Sequence, residues 1–327
     1  MRHILFRCQL FVCICLIFYG TILFSSKEVV LAAELPQEES EEIPAFCGTT
    51  VGKLKVTMQV EKNARLSMET AEAENTTETT IEEKKGITIQ IGKKQQEIEA
   101  LNGNFKKKKG VLYFKQQNGK LVKNRFFGKG QNVYYANRKG EIAQGWRKIE
   151  GHYYFFDRKS GKLRRNAKAD GIKITKNGIA KETKQNIARI KVYMEAQKVV
   201  NQVTKPTDSK SQKLYKCYRW MAKFQYKQYR TMRKAKASHP KDWDVIFAND
   251  IFLNHNGCCA SEASAFAYLA KVCGYKDVSI CSDTGHAWVD IGGRLYDPLF
   301  AEARSFKDNY NAKYTDYRKH PAYKKKL

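Results

Sequence analysis

Between residues 103 and 180, short aromatic runs alternate with polar turns at a fixed period. Gly119, Gly140 and Gly161 are 21 residues apart, and each follows an aromatic pair and precedes a Leu or Ile by two positions. Each unit predicts an aromatic strand, a polar turn with glycine and a second short strand, which together form a β-hairpin. A single hairpin cannot bury its own aromatic face, so the pattern predicts three hairpins stacked into a small solenoid. A fourth unit, around Gly178, is out of period.

Apolar residues at helical spacing follow the repeat. The pattern predicts one helix over residues 187–203, which Pro206 ends, and a second over residues 209–229. The second helix carries an apolar stripe that is most simply core, formed by Leu214, Cys217, Trp220 and Phe224.

The last third of the chain combines one helical pattern with alternating strands. An Ala-rich helix is predicted from about Cys258 to Cys273, apolar on two sides and therefore central and buried. Strands are predicted over residues 278–282, 286–291 and 294–300, the last two joined by a Gly-Gly turn. The fold class is thus α+β, with a central helix packed on an antiparallel sheet and preceded by the hairpin repeat.

Residues 1–33 have the features of a secretory signal peptide. A basic start is followed by an apolar run from Leu10 to Phe24 and by a cleavage site of the Val30-x-Ala32 type. The run is long, and the cleavage site lies eight residues beyond it, so an uncleaved membrane anchor is the alternative. Either way the pattern predicts a chain that works outside the cell.

Charge separates the next segment from the rest of the chain. Residues 34–101 are acidic and Thr-rich, which predicts a flexible spacer, with short strands where apolar residues alternate at 54–60 and 87–91. Residues 102–327 carry 49 bases and 18 acids, a net charge of +31 that favours a polyanionic partner. Export favours an anionic cell envelope over nucleic acid. Residues 306–327 are expected to be a solvated basic tail, with wall contact as the functional alternative.

The cysteines do not predict a disulfide framework. Cleavage of the signal leaves six cysteines: Cys47, Cys217, Cys258, Cys259, Cys273 and Cys281. If one of them is a catalytic thiol, five remain, and an odd number cannot all pair. One bridge can form, but the sequence does not assign it.

A cysteine, a histidine and an acid in this order supply the parts of an activated thiol nucleophile. Cys258 and Cys259 both fall in the first turn of the predicted helix, where the helix dipole lowers a thiol pKa, so helix physics does not choose between them. In the hairpin with the Gly-Gly turn, Asp297 is the diagonal neighbour of His286 on one face. Asp290 is too far along the strand to serve, and Asp283, in the preceding loop, is the weaker alternative.

The same segment resembles the core of the transglutaminase-like superfamily, which has a papain-like cysteine fold. The matching motifs, spread over about residues 190–300, are Gly257-Cys258-Cys259 with Ala263, His286-Ala287-Trp288, and Tyr296-Asp297-Pro298. This resemblance implies a domain over residues 185–305 with Cys259 as the nucleophile, His286 as the base and Asp297 as the orienting acid. It does not identify the oxyanion donor, for which Asn254, Asn256 or a backbone N–H are the alternatives.

The repeat over residues 103–180 resembles the cell-wall-binding, choline-binding-type repeats of Gram-positive surface proteins, most clearly in the segment QGWRKIEGHYYFFD. The resemblance implies attachment to a wall polymer such as a teichoic acid or polysaccharide, with choline held by aromatic rings through cation–π attraction. The ring positions are Tyr134, Tyr135, Trp146 and Tyr154. The competing interpretation makes these rings hairpin core and gives wall attachment to the lysines and arginines.

Together these features predict an exported, wall-attached cysteine enzyme that transfers acyl groups from peptide or side-chain amides to water or an amine. Its substrate would be a protein or a peptidoglycan peptide, and it would need no cofactor or metal. A zinc site from Cys258, Cys259, Cys273, Cys281 and His286 lacks the usual two-residue spacing between ligands. The alternative function is a non-catalytic wall-binding or adhesion protein in which the papain-like domain is inactive.

Overall fold

The computed structural model describes residues 86–316 and 320–327. The predicted signal peptide and most of the predicted spacer, including the alternating piece at residues 54–60, lie outside the described residues. These residues form two parts. The hairpin stack comprises residues 87–180, and the thiol domain comprises residues 184–316 and 320–327.

Five antiparallel hairpins form the hairpin stack. They are hairpin 1 (β1, Ile87–Ile91; β2, Lys94–Ile98), hairpin 2 (β3, Gly103–Lys108; β4, Val111–Gln116), hairpin 3 (β5, Arg125–Lys129; β6, Asn132–Ala136), hairpin 4 (β7, Gly145–Ile149; β8, His152–Phe156) and hairpin 5 (β9, Ala167–Ala169; β10, Ile172–Ile174). The three predicted units are hairpins 2 to 4. The alternation at residues 87–91 is strand β1, so this end of the predicted spacer belongs to the stack.

After each of the last four hairpins, the chain turns back at a glycine and pairs one residue with the hairpin. The four returning residues are Leu121, Ile142, Leu163 and Ala180. The turn glycines have positive φ, and Gly178, with φ of 86°, takes the same role as Gly119, Gly140 and Gly161. Gly178 is four residues short of the period because each strand of hairpin 5 has three residues where those of hairpin 4 have five.

Two small apolar clusters hold most of the stack together. One contains Phe114, Phe127 and Tyr134 from hairpins 2 and 3, and the other joins Phe126 of hairpin 3 to Tyr154 and Phe156 of hairpin 4 as well as to hairpin 1. The hydroxyl of Tyr154 also donates a 2.6 Å hydrogen bond to the carbonyl of Gln90 in hairpin 1. Neighbouring hairpins therefore bury each other's aromatic faces, as the repeat predicted.

Helices form one layer of the thiol domain. They are α1 (Lys184–Val203), α2 (Lys210–Met221), α3 (Met232–Ser238), α4 (Trp243–Asn254), α5 (Cys259–Val272) and α6 (Pro298–Ala303). Helix α1 is capped by the Thr183 side chain and α2 by a capping box of Ser209 and Gln212. The predicted helix over residues 209–229 is shorter than expected, because the chain leaves α2 after Met221 to form a two-residue strand, β11 (Gln225–Tyr226), beside β12 (Asn256–Gly257).

A four-stranded antiparallel sheet forms the other layer. Its strands are β13 (Val278–Ser282), β14 (Ala287–Ile291), β15 (Arg294–Tyr296) and β16 (Tyr323–Lys326), in the order β15-β14-β13-β16. Helix α5 packs against this sheet and against α1, α2 and α4, and every residue from Ala260 to Ala270 is buried. The predicted central helix on an antiparallel sheet is therefore present.

The end of the chain differs from the predicted solvated tail. Strand β16 pairs with β13 and forms an edge of the sheet. Lys325 lies with its Nζ 2.5 Å from Asp244, a carboxylate with no exposed surface, and Lys324 pairs with Asp290 at 3.1 Å. Lys326 pairs with Asp277 at 3.1 Å, so the three lysines that suggested a solvated tail are placed by strand pairing and each pairs with a carboxylate of the thiol domain.

Hairpin 4 connects the two parts. Trp146, Tyr153 and Phe155 belong to the same continuous core as α1, α4 and α5. The Trp146 indole donates a 2.8 Å hydrogen bond to Asp170, which also binds Arg158, and the Arg158 guanidinium lies over the rings of Phe155 and Tyr193. One aromatic face of the repeat is therefore used to hold the thiol domain.

Candidate active site

The paired cysteines lie where β12 meets α5. Cys258 is the N-cap residue of α5 and is buried, whereas Cys259 is the first residue of the helix and is partly exposed. Gly257 before them is required by space, because a Cβ there would lie 2.5 Å from the Ser261 side chain. The backbone N–H of Ala287, next to His286 in the chain, hydrogen-bonds to the Cys259 thiol. The structure thus places Cys259 at the start of the strand that follows His286.

His286 and Asp297 form a buried pair. Nε2 of His286 lies 2.5 Å from Oδ2 of Asp297, and the two side chains are 6 % and 0 % exposed. The predicted hairpin register is present, since Ile291 pairs with Arg294 across the Gly-Gly turn. With Nε2 on the carboxylate, the ring directs its other nitrogen, Nδ1, away from Asp297.

The predicted strand over residues 294–300 included Asp297, but in the structure Asp297 lies beyond the end of the strand. Strand β15 ends at Tyr296, and Asp297 is the N-cap of α6, with Pro298 as the first helical residue. Its Oδ1 accepts a 3.1 Å hydrogen bond from the Phe300 N–H, while Oδ2 holds His286. Because each oxygen has its own partner, the helix cap fixes the carboxylate that orients the imidazole.

Asp290 and Asp283, the other two acids considered as partners of His286, contact other groups. Asp290 binds Lys324 and the backbone N–H of Gly293, so it stabilises the hairpin turn. Asp283 accepts 2.7 Å and 2.8 Å hydrogen bonds from the backbone N–H groups of His286 and Gly285. Asp283 therefore shapes the loop that delivers His286, and Asp297 is the carboxylate on the ring.

The two thiols share a hydrogen bond that shifts their pKa values in opposite directions. The hydrogen bond from Cys259, together with the N–H groups of Ser261 and Ala260, lowers the pKa of Cys258 to about 6 against the effect of burial. The same hydrogen bond and burial raise the pKa of Cys259. Helix position had predicted a lower pKa for both. Exposure and the Ala287 contact still favour Cys259 as the thiol that a substrate reaches, whereas the lower pKa favours Cys258.

Three neighbours of the site have no counterpart in the sequence analysis. Phe300 stacks on the His286 ring, with centroids 4.2 Å apart and planes at 10°. Tyr226 on β11 pairs with Gly257 and is 58 % exposed. Glu262, one turn into α5, is fully buried, and neither of its carboxyl oxygens has a hydrogen-bond partner within the described part of the chain. Burial, then nearby carboxylates, raise its pKa to about 9.

The two asparagines considered as oxyanion donors lie on different elements. Asn256 lies on β12, and its side-chain oxygen accepts a hydrogen bond from the Tyr229 hydroxyl. Asn254 is the last residue of α4. The hydrogen bond from Tyr229 occupies the side-chain oxygen of Asn256 and leaves its amide N–H groups as donors.

The described cysteines are all free thiols. Cys217 on α2 and Cys273 at the end of α5 have their sulfurs 3.9 Å apart. Across residues 86–316 and 320–327, no group of three or more His, Cys, Asp or Glu side chains could hold a metal ion. The same residues contain no helix that is long and apolar enough to cross a membrane.

The four rings proposed as choline ligands are mostly interior. Tyr134, Trp146 and Tyr154 are 4 %, 2 % and 0 % exposed, and Tyr135 is partly buried among hairpin rings. Burial raises the pKa of Tyr154 to about 12, as expected for a phenol in an apolar setting. Their positions agree with the competing interpretation, in which these rings are hairpin core.

Part of the chain is similar to several solved structures. No family model and no curated protein matches the chain. Choline binding protein F from Streptococcus pneumoniae is 24 % identical over 25 % of this chain and 27 % of its own, with a TM-score of 0.23. The choline binding domain of another S. pneumoniae protein is 26 % identical, covering 25 % of this chain and 95 % of the domain, also at 0.23. Truncated alternansucrase from Leuconostoc mesenteroides is 27 % identical over 24 % of this chain and 7 % of its own, with a TM-score of 0.22.

The solved structures similar to this chain thus include choline-binding proteins. The match spans about a quarter of this chain and about a quarter of choline binding protein F. The described chain is a mixed α/β structure with small antiparallel hairpins. The likeness to the transglutaminase-like superfamily stays a prediction from the motifs, and activity, substrates and partners are proposals.

Proposed function

We propose that the chain is an exported, cell-wall-associated enzyme that transfers acyl groups through a cysteine thiol. The observation that carries the proposal is the buried His286–Asp297 pair at 2.5 Å, together with the contact of the Cys259 thiol with the backbone N–H of Ala287, the residue after His286. In a nucleophilic triad a carboxylate holds one imidazole nitrogen and the other nitrogen takes the thiol proton, and we assign the thiol role to Cys259. The resemblance to the transglutaminase-like superfamily supports the same roles.

In this proposal Cys259 gives its proton to His286, and Sγ attacks an amide carbonyl carbon to form a tetrahedral intermediate. His286 then protonates the leaving amine, the C–N bond breaks, and a thioester remains on Cys259. Water or a second amine attacks the thioester carbonyl, passes a proton back through His286, and releases an acid or a new amide. Asp297 keeps the imidazole in place and stabilises its charged form. We favour hydrolysis, because nothing in the sequence marks an amine-donor site.

The wall association is supported by charge. The chain carries a net charge of +27, and residues 102–327 alone carry +31. Such a surface attracts an anionic wall polymer, and the hairpin stack exposes many of its lysines. Because the aromatic rings are used as core, attachment through lysines and arginines is the mode we propose.

The proposal is tested by thiol reactivity. Iodoacetamide near pH 6 should label Cys259 faster than an ordinary thiol, since a thiol with a pKa near 8.5 is almost fully protonated there. His286→Ala should abolish the fast labelling while leaving unchanged the slow labelling of Cys273, the other partly exposed thiol within residues 86–316 and 320–327. If neither Cys259 nor Cys258 labels faster than Cys273 in the wild type, the enzyme proposal is wrong, whereas fast labelling of Cys258 alone would move the nucleophile to that residue.

A second candidate is a wall-binding protein without catalysis. The raised pKa of Cys259 favours it, because a protonated thiol is a poor nucleophile. The same labelling experiment separates the two, and a screen against wall proteins and peptidoglycan peptides then identifies the substrate of an active enzyme.

A further inference from the structure

A cavity of about 660 Å³ lies on the hairpin stack, away from the thiols. Hairpin 3 contributes its turn and strand β6 as far as Val133, and hairpin 5 contributes Ala167 and, in the return after it, Lys176. The return after hairpin 4 contributes Asp157, Ser160 and residues 162–166. The floor is rigid, because the N–H of Leu163 donates a 2.8 Å hydrogen bond to the Val133 carbonyl, and both residues are buried. Its size falls within the range of about 300–1,000 Å³ that is usual for ligand sites.

The lining of this cavity is cationic. Lys162, Arg164, Arg165 and Lys176 line it, with Asp157 as the one carboxylate among its lining residues. Asp157 is already satisfied: Arg164 binds it at 2.8 Å, and the Ser160 hydroxyl and two backbone N–H groups donate to it. The Asp157–Arg164 pair therefore cancels, and the positive charge of the other three side chains is unbalanced.

The neutral part of the lining consists of hydrogen-bonding groups. Gln131, Asn132 and Asn166 add amides to the walls. Lysine ammonium and arginine guanidinium groups bind phosphate strongly, and amides suit the hydroxyls of a polyol or sugar. Choline would be repelled, because it carries a positive charge and the cavity has no aromatic side chain in its lining.

We propose that this cavity is a binding site for a phosphodiester-linked polyol or sugar polymer, with Lys162, Arg165 and Lys176 as the phosphate-binding side chains. The inference rests on the proposed wall association and gives it a site and a ligand class. It is independent of catalysis, since none of the three residues belongs to the thiol domain. Anchoring through a cavity formed by three successive hairpins would also explain why the rings of the stack are free to serve as core.

A charge-matched pair of variants tests the site in the full-length chain. The cavity variant is Lys162→Gln with Arg165→Gln and Lys176→Gln, and the control is Lys106→Gln with Lys107→Gln and Lys108→Gln on the exposed strand β3. Both lose three positive charges from the same stack. Binding to poly(glycerol phosphate) is measured by calorimetry at 150 mM salt, with poly-glutamate and free choline as further arms, and circular dichroism checks the fold.

The cavity variant should lose at least tenfold in affinity for poly(glycerol phosphate), and the control less than threefold. Poly-glutamate should bind the wild type more weakly, and choline should not compete. Equal losses in the two variants would show diffuse charge attraction and overturn the site, and equal binding of poly-glutamate would overturn the phosphodiester class. If the wild type binds neither the polymer nor isolated cell walls, the wall association itself fails, whereas Cys259 labelling judges the enzyme separately.

Discussion

The hairpin stack and the thiol domain differ in how many polar side chains they bury. Each polar or charged residue that is fully buried within residues 86–316 and 320–327 lies between Asp244 and Asn309, in the thiol domain. The hairpin stack keeps most of its charges at the surface, with the Asp170–Arg158 pair beside the thiol domain as an exception, and fills its two small clusters with aromatic and aliphatic side chains. Burying polar groups costs free energy, and proteins accept that cost mainly where a function needs it.

Two carboxyl groups show the contrast. Desolvation raises the pKa of Asp157 in the hairpin stack, but hydrogen bonds from Ser160, Arg164 and Lys159 outweigh it and lower the pKa to about 2. Glu262 in the thiol domain has no such partners, and desolvation raises its pKa to about 9. Asp157 thus stabilises the fold as an anion, whereas Glu262 tolerates burial as a neutral acid. Glu262 lies in the first turn of α5, so the thiol domain buries a carboxyl without a hydrogen-bond partner in the described part of the chain close to the thiols, where the proposed chemistry takes place.

The largest effect is expected at Asp297. Asp297→Ala removes the partner of a buried histidine and the cap of α6, and should lower the free energy of unfolding by about 3–5 kcal/mol. Asp297→Asn keeps a cap oxygen and should cost less, while still slowing the labelling of Cys259. Denaturant unfolding and iodoacetamide labelling measure the two effects. A stable Asp297→Ala protein with fast Cys259 labelling would remove Asp297 from the site.

Replacing Trp146, a residue of the hairpin stack, should also destabilise the thiol domain. It lies in hairpin 4 but is buried in the core of the thiol domain, so Trp146→Ala should cost about 3–5 kcal/mol and loosen that domain. The reaction of Cys217 with a thiol reagent reports the loosening, because this thiol has no exposed surface in the core. Tyr135→Ala, in the clusters of the stack, is the matched control and should leave Cys217 protected. Equal Cys217 protection in both variants would mean that the two parts fold independently.

The stability contributed by Glu262 in the thiol domain should depend on pH in the opposite sense to that contributed by Asp157 in the hairpin stack. Its folded pKa of about 9 lies above the ordinary value of 4.5, so its contribution to stability is complete below about pH 4.5 and is lost as pH rises toward 9. Glu262→Gln does not titrate and should be more stable than wild type by on the order of 3 kcal/mol at pH 8, with little difference at pH 4.5. Thermal unfolding at both pH values measures this. A variant that follows the wild-type pH profile would show that Glu262 is paired in solution.

Replacing Cys258 tests its effect on the pKa of Cys259 and which of the two thiols is the nucleophile. The hydrogen bond with Cys258 is the largest cause of the raised Cys259 pKa, so Cys258→Ala should lower that pKa and speed Cys259 labelling at pH 6 by about tenfold, equivalent to about one pKa unit. The Cys258 thiol also accepts from the backbone N–H groups of Ser261 and Ala260 at the start of α5, so Cys258→Ala should lower the free energy of unfolding by about 1 kcal/mol, which denaturant unfolding measures. Loss of all fast labelling in Cys258→Ala, with retention in Cys259→Ala, would make Cys258 the nucleophile.

Short-range pattern was sufficient for much of this molecule. The 21-residue period predicted hairpins 2 to 4, and the register across Gly292 and Gly293 predicted the contact of His286 with Asp297, because both depend on nearby residues. The same reasoning placed Asp297 on a strand, since nothing in the alternation reveals that Pro298 starts a helix. The fourth unit around Gly178, which is hairpin 5, was out of period because its strands are shorter.

Long-range contacts were out of reach of the pattern. The pairing of β16 with β13 joins residues more than forty positions apart, and a run of lysines gives no sign of it. The burial of Trp146 against α1 and the unpartnered carboxyl of Glu262 are likewise consequences of packing. Sequence identified the chemistry of Cys259, His286 and Asp297, but only packing shows which polar groups surround them.

The smallest effect is expected for an exposed ion pair of the hairpin stack. Arg125 pairs with Glu99 at 3.0 Å, but the two side chains are 44 % and 64 % exposed, so Arg125→Gln should change stability by about 0.5 kcal/mol or less. Arg189 makes a similar 2.7 Å contact with fully buried Asp244 in the thiol domain, and Arg189→Gln should cost about 3 kcal/mol because it leaves a buried carboxylate short of a partner. Denaturant unfolding at 0.05 M and 0.5 M salt compares them, and salt should reduce only the Arg125 effect. Equal costs at both positions would mean that burial of charge does not distinguish the two regions.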